Sequence, residues 1–103
     1  MSRGPDAGTL LRRAIEAAAR AAGCTVTVTD SRMTRWASAT FTGARHDLTL
    51  VAADDAAFAA WIESLPEAEL PLRGHLVADL VVRSVTRVDQ RVELVLEALS
   101  VAL

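Results

Sequence analysis

Two histidines carry the side chains best suited to acid–base or metal chemistry, and each has a carboxylate near it in the chain. His46 directly precedes Asp47, and His75 precedes Asp79 by four residues. Adjacent strand residues point to opposite faces, and four strand residues span about 13 Å, so neither pair forms a catalytic dyad by itself. The spacings HxH, HExxH and CxxC are also missing from the sequence. Both histidines are therefore predicted to be surface or edge residues, and the sequence indicates no catalytic residue, metal site or cofactor.

A group of basic and aromatic residues in the first half of the chain has the chemistry to bind a small ligand. This group is Arg35, Trp36, Arg45 and His46. A pocket between the helices and the sheet near these residues would make the chain a small-ligand-binding protein or a minor enzyme. Arg32, with Arg35 and Arg45, could instead contact an anion or a nucleic acid. Only four residues are aromatic, so a base-stacking platform is not expected and nucleic acid is disfavoured as a partner.

The only cysteine, Cys24, excludes an internal disulfide and a multi-cysteine zinc site. It follows a predicted helix C-terminus, where the negative end of the helix dipole would raise the thiol pKa. We therefore interpret it as a small buried residue. A lone reduced thiol is typical of the cytosol. No segment reaches the ~18 apolar residues of a membrane span, and no continuous apolar run suits a secretory signal. A cytoplasmic location without membrane contact is expected.

The composition is that of one globular domain. The 103 residues are 51% apolar and 23% charged, with a net charge of -2. This is too apolar for a disordered chain, and the charge excludes a generally basic nucleic-acid binder. We therefore predict a single α+β domain over residues 1–103.

The first half of the sequence predicts a helix followed by three short strands. Asp6 or Thr9 would cap the helix, and Gly23 would end it. Alternating apolar and polar residues then indicate strands. The predicted strands are residues 25–29, 34–42 and 46–53, joined by turns at 30–32 and 43–45. These short connections predict an antiparallel meander.

The second half predicts one more helix and a long hairpin. Asp54-Asp55 would begin the helix and Pro66 would end it, with a loop over residues 66–74. Residues 75–88 and 92–103 both alternate, and a three-residue turn over 89–91 would pair them. The register would place Arg83 opposite Glu97 and Arg87 opposite Glu93. The predicted fold is an α+β two-layer sandwich in the order α-β-β-β-α-β-β, with a five-stranded antiparallel sheet and two helices on one face.

The predicted hairpin is apolar on both faces. The face set against the helices would carry Leu76, Ala78, Leu80, Val82, Val88, Val92, Leu94, Leu96 and Ala98. The opposite face would carry Val77, Val81, Val85, Val95, Leu99, Val101 and Leu103 among charged residues. A sheet with helices on one side normally presents a polar second face to water. Seven aliphatic residues there would form a large exposed apolar patch.

Two explanations for this second apolar face remain open. In the first, the sheet bends or the chain itself covers the C-terminal half of the last strand. In the second, the face mediates self-association. The second is favoured because two-fold homodimers are the commonest oligomers of soluble proteins. The sequence thus predicts a non-enzymatic homodimeric binding or scaffolding module, with a protein as a further partner. The expected interface residues are Val81, Arg83, Val85, Val95, Glu97, Leu99 and Val101.

Overall fold

The computed structural model describes residues 6–103 as two α-helices, one 3₁₀ turn and a four-stranded antiparallel sheet. The helices are α1 (Ala7–Ala21) and α2 (Ala56–Ser64), and the 3₁₀ turn covers Leu65–Glu67. The strands are β1 (Val26–Ala37), β2 (Thr42–Ala53), β3 (His75–Val88) and β4 (Arg91–Ala102), in the spatial order β1-β2-β4-β3. The α+β class with two helices and an antiparallel sheet is confirmed. The five-stranded sandwich is wrong.

One long strand replaces the first two predicted strands. β1 continues through Asp30, Ser31 and Arg32, where a turn is expected from the sequence. A bulge at Thr29 leaves one residue unpaired and shifts the register, and Asp30 then pairs with Thr49 of β2. The turn preference of these three residues is overridden because β2 supplies a continuous row of backbone partners and their side chains remain exposed.

The actual β1–β2 turn lies at 38–41, inside the predicted strand 34–42. Ser38 N donates to Phe41 O at 2.7 Å, and Ser38 Oγ accepts from Phe41 N at 3.0 Å. A serine hydroxyl that binds nearby backbone can form a turn without glycine or proline. The predicted turn at 43–45 is therefore wrong, and these residues belong to β2.

Aspartates begin both helices. Asp6 accepts from Thr9 N at 2.8 Å, and Asp55 accepts from Phe58 N at 2.8 Å. Each bond satisfies one of the backbone donors that the first helical turn leaves free. Gly23, with φ at +85°, follows the end of α1 as expected. Neither of the helices that the structure describes is long and apolar enough to cross a membrane.

The core lies where the buried side chains of both helices meet one side of the sheet. Leu11 and Ile15 of α1 are fully buried, and the rings of Phe58 and Trp61 in α2 have centroids 5.9 Å apart. The sheet contributes Val26, Leu48, Leu50, Ala52, Leu80, Val92, Leu94, Leu96 and Ala98. Each buried leucine or phenylalanine contributes about 1.5–3 kcal/mol through the removal of apolar surface from water. The prediction that Val92, Leu94, Leu96 and Ala98 of β4 face the core is confirmed.

The β3–β4 hairpin closes through a two-residue turn, and the predicted three-residue turn is wrong. Asp89 and Gln90 have φ values of 51° and 67°, and Val88 pairs directly with Arg91. A two-residue turn of this left-handed kind matches the natural twist of a hairpin. Bulges at Ala78 and Arg83 shift the register along β3. Each bulge inserts one residue and so changes which residues face the core.

The two bulges change the composition of the side of the sheet that faces away from the core, which we call the outer face. Val77 and Val85 pair with Ser100 and Leu94, so they lie on the core side, contrary to the predicted register. Leu76, predicted to face the helices, pairs with Val101 and is 55% exposed. Val88, also predicted to face the helices, pairs with the outward Arg91 and is 62% exposed, so the outer face keeps part of the predicted apolar set and gains Leu76 and Val88.

One of the two predicted cross-strand ion pairs is present. Arg83 Nη2 lies 2.9 Å from Glu97 Oε1, because the bulge turns the arginine toward the neighbouring strand. Arg87 pairs in register with Val92 and lies 3.5 Å from Asp54 instead of contacting Glu93. The predicted Arg87–Glu93 pair is therefore wrong.

Replacing Gln90 with glycine should stabilise the chain. Gln90 pays the steric cost of a left-handed conformation that glycine adopts freely, so Gln90→Gly should raise the free energy of unfolding by about 0.5–1 kcal/mol. Urea unfolding provides the measurement. Arg91→Gly is the matched control: Arg91 is the first residue of β4, so its replacement should destabilise. Stabilisation by Arg91→Gly instead would indicate the three-residue turn.

Candidate functional site

A cleft of about 550 Å³ opens at the end of the sheet where α1 begins. The register of the sheet brings the walls together, since Trp36 pairs with Gly43, Gly43 with Val101, and His75 with Ala102. The first turn of α1 closes one side through Asp6. All four strands therefore reach the cleft, although their contributions are far apart in the sequence.

The four predicted ligand-binding residues divide between this cleft and the rest of the sheet. Arg35 and Trp36 line the cleft. His46 is 1% exposed on an inner strand, so its predicted surface or edge position is wrong, and it reaches the cleft wall only through its hydrogen bond to Ser100. Arg45 is held on the outer face by an ion pair with Glu97. Arg45 and His46 lie apart because adjacent strand residues point to opposite sides.

Trp36 is held against the backbone of its neighbouring strand. A methyl group at Gly43 would come within 2.6 Å of Trp36 Cζ2 and would overlap the carbonyl oxygen of Ser100. The missing side chain of Gly43 therefore provides the space for the indole. Trp36 Nε1 is buried and has no hydrogen-bond partner among residues 6–103.

A buried Ser–His pair lies beneath the cleft. His46 Nε2 lies 2.8 Å from Ser100 Oγ, and the Ser100 hydroxyl donates to Ala44 O at 3.4 Å. When the Ser100 hydroxyl donates its hydrogen to Ala44 O, its oxygen accepts from His46, and the proton of the neutral imidazole is then on Nε2. Burial lowers the pKa of His46, and the nearby charge of His75 adds to this effect. A buried, neutral imidazole bound to a serine is thus available.

This pair does not have the arrangement of a nucleophile and its base. Both residues are 1% exposed, and no carboxylate in the described part of the chain forms a hydrogen bond with His46. Nucleophilic serines need an accessible hydroxyl and a base oriented by a third group. The geometry favours a structural role, in which His46 and Ser100 satisfy each other inside the sheet.

The cleft wall also carries two residues of opposite charge, of which only Arg35 is predicted from the sequence to bind a ligand. Asp6 of the α1 cap and Arg35 of β1 both line it. Hydrogen bonds from Thr9 lower the pKa of Asp6, and the Arg35 charge contributes. No ion pair within 4.0 Å links the two among residues 6–103. His75 lines the same cleft, and its Nδ1 is buried without a hydrogen-bond partner among residues 6–103.

The outer face of the sheet is the second candidate surface. Glu97 at its centre accepts from Arg83 Nε at 3.1 Å and lies 2.9 Å from Arg45 Nη2. These bonds, first that of Arg83 and then that of Arg45, lower the pKa of Glu97. Partly or fully exposed aliphatic residues surround this cluster: Leu76, Val81, Val95, Leu99 and Val101.

The remaining candidates do not assemble into a site. Arg32, 3.6 Å from Asp30, and Arg45, bound to Glu97, lie on the outer face, whereas Arg35 lines the cleft, so the three arginines do not share one anion. Cys24 is buried and donates to Ala19 O at 3.4 Å, while burial raises the pKa of its thiol. Within residues 6–103, no three His, Cys, Asp or Glu side chains are grouped to hold a metal ion.

Comparison of this chain with protein-family models, with curated proteins and with solved structures finds no match.

The stability of the protein should decrease between pH 7.5 and pH 5. Because the folded state lowers the pKa of His46 below its ordinary value near 6.5, the unfolded state takes up a proton first as the pH falls. Stability from the neutral imidazole is full above about pH 6.5 and decreases below it. Urea unfolding across this range measures the slope. His46→Gln should flatten it, and an unchanged slope would contradict the assignment.

Gly43→Ala should destabilise the chain by about 1–3 kcal/mol, because the added methyl group overlaps the β4 backbone and displaces the indole of Trp36. Thermal unfolding measures the loss, and tryptophan fluorescence should shift to the red as the ring becomes solvated. Gly8→Ala is the control, since its nearest contacts are ordinary at 3.5 Å and longer. Helix propensity predicts that this control is neutral or stabilising.

Proposed function

We propose that this protein is a non-enzymatic homodimeric binding module whose two copies associate through the outer face of β3 and β4. The observation that carries the proposal is an apolar sheet face whose central charges are already paired within the chain. Val95, Leu99 and Val101 follow one another on the outer side of β4, and Leu76 and Val81 lie beside them on β3. These five residues form the apolar part of the proposed interface. Val85, which the sequence predicts there, is not included because it lies on the core side.

The central ion cluster is compatible with burial between two copies. Glu97 has both Arg45 and Arg83 as partners, and its side chain is only 22% exposed in the single chain. Charges that are already paired and hydrogen-bonded lose less on desolvation than a charge that must find its partner across the interface. The cluster can therefore remain intact while the surrounding aliphatic side chains come into contact.

The dimensions of the face suit a dimer of ordinary size. Four strands about 4.8 Å apart, along a molecule 45 Å in length, give the whole outer face a footprint of roughly 800 Å², of which β3 and β4 supply about half. A stable interface of standard size buries about 800 Å² on each partner. Two-fold symmetry would place β4, an inner strand of the sheet, next to the symmetry axis.

The same proposal extends to location. A module with one buried thiol and no need of disulfides suits the reducing cytoplasm. A second protein bound by the dimer would use surfaces that remain free after association.

Sedimentation velocity at micromolar concentration should give a species of twice the 11.0 kDa chain mass. Leu99→Glu should convert it to a monomer, since it replaces an apolar side chain of this face with a carboxylate that must be desolvated on association, which would weaken association by about 100-fold or more. Val95→Glu should behave in the same way.

The matched control is Phe41→Glu, which places the same charge on another exposed apolar residue, in the β1–β2 turn. This variant should remain dimeric. A wild-type chain that sediments as a monomer, or a dimer broken by Phe41→Glu and not by Leu99→Glu, would refute the proposed interface. Circular dichroism distinguishes dissociation from unfolding in each variant.

A further inference from the structure

From the cleft at the start of α1, we infer that this protein binds a free α-amino acid with an apolar side chain, held between Asp6 and Arg35. This site is separate from the proposed dimer surface and does not depend on it. The argument rests on three features of the cleft: its opposite charges, its unsatisfied nitrogens and its apolar wall.

The opposite charges select a zwitterion. Asp6 and Arg35 line the same cleft, yet they form no ion pair within 4.0 Å in the described part of the chain. A simple anion would be attracted by Arg35 and repelled by Asp6, and a simple cation would meet the reverse. A ligand that carries an ammonium and a carboxylate satisfies both residues. In a longer peptide the ammonium and the carboxylate lie at opposite ends of the chain, so they do not reach both residues of the cleft together.

The cleft lining also contains two nitrogens without a hydrogen-bond partner. Trp36 Nε1 carries a hydrogen that finds no acceptor within residues 6–103, and His75 Nδ1 is also without a partner there. Buried polar groups are normally satisfied, so two unsatisfied nitrogens beside one cleft indicate a missing partner. Both residues line the cleft, so a ligand there can supply the missing partners.

The apolar wall accounts for the side chain of the ligand. Met33 and Ala37 of β1, together with Ala44 and Ala102 of the inner strands, line the cleft between the charged groups. A methionine adapts its shape to irregular or varied apolar ligands. The cleft volume of about 550 Å³ lies within the usual range of small-molecule sites and exceeds what a single amino acid requires.

Two-dimensional NMR on the full chain tests the inference with L-phenylalanine as the probe. The indole N–H resonance of Trp36, identified by its loss in Trp36→Phe, should shift on titration, and that of Trp61 in the core should not. The comparison ligands are 3-phenylpropionate, which lacks the ammonium, and 2-phenylethylamine, which lacks the carboxylate. Each should bind about tenfold more weakly, because one charge-assisted contact is lost.

Two charge-removing variants assign the contacts. Asp6→Asn retains a good helix cap, and it should abolish the preference for L-phenylalanine over 3-phenylpropionate. Arg35→Gln should abolish the preference over 2-phenylethylamine. Arg32→Gln is the matched control. Arg32 is an exposed arginine of the same strand and lies opposite Asp47 of β2, on the outer face. This variant should leave all three affinities unchanged.

Several results would overturn the inference. No binding of L-phenylalanine would do so, as would equal binding of 3-phenylpropionate to the wild type, which indicates a plain anion site. Wild-type selectivity in both Asp6→Asn and Arg35→Gln would refute the assigned contacts. Sedimentation of the same samples reports the oligomeric state independently, so failure of this site and failure of the proposed dimer are distinguishable.

Discussion

The structure depends on β4, which is hydrogen-bonded along both of its edges and alternates without interruption. Its inward residues, from Val92 to Ser100, are all buried, and its outward residues form the middle of the opposite surface. A strand with neighbours on both sides cannot slip by one residue without exposing its whole apolar set. The register of β4 therefore determines both the core and the outer face.

Local patterns predicted the elements that depend on local chemistry. The aspartate caps, the end of α1 and the alternation of β4 follow from residues close together in the chain, and the structure confirms them. The strand count was wrong because Asp30-Ser31-Arg32 favours a turn only when no partner strand is present. The continuous partner that extends this segment, β2, is set by pairing at a distance, which a local pattern does not contain.

The hairpin register shows the same limit at finer scale. Opposite charges suggested a three-residue turn, yet the chain uses a two-residue turn and corrects the facing of its side chains with bulges at Ala78 and Arg83. Bulges leave little trace in a sequence, because any residue type can occupy them. The cleft was only partly foreseen for a related reason. Arg35 and Trp36 are neighbours in sequence, whereas Asp6 and His75 join them only through the folded sheet.

The two bulges also limit how the free edge of the sheet can pair with another strand. β3 is an edge strand, and a flat edge of 14 residues would offer its free backbone groups to any other strand. Interruptions at Ala78 and Arg83 break that row into short pieces, and Thr29 interrupts the opposite edge on β1. Edge-to-edge pairing of sheets into open fibres is thereby discouraged at both borders of the sheet.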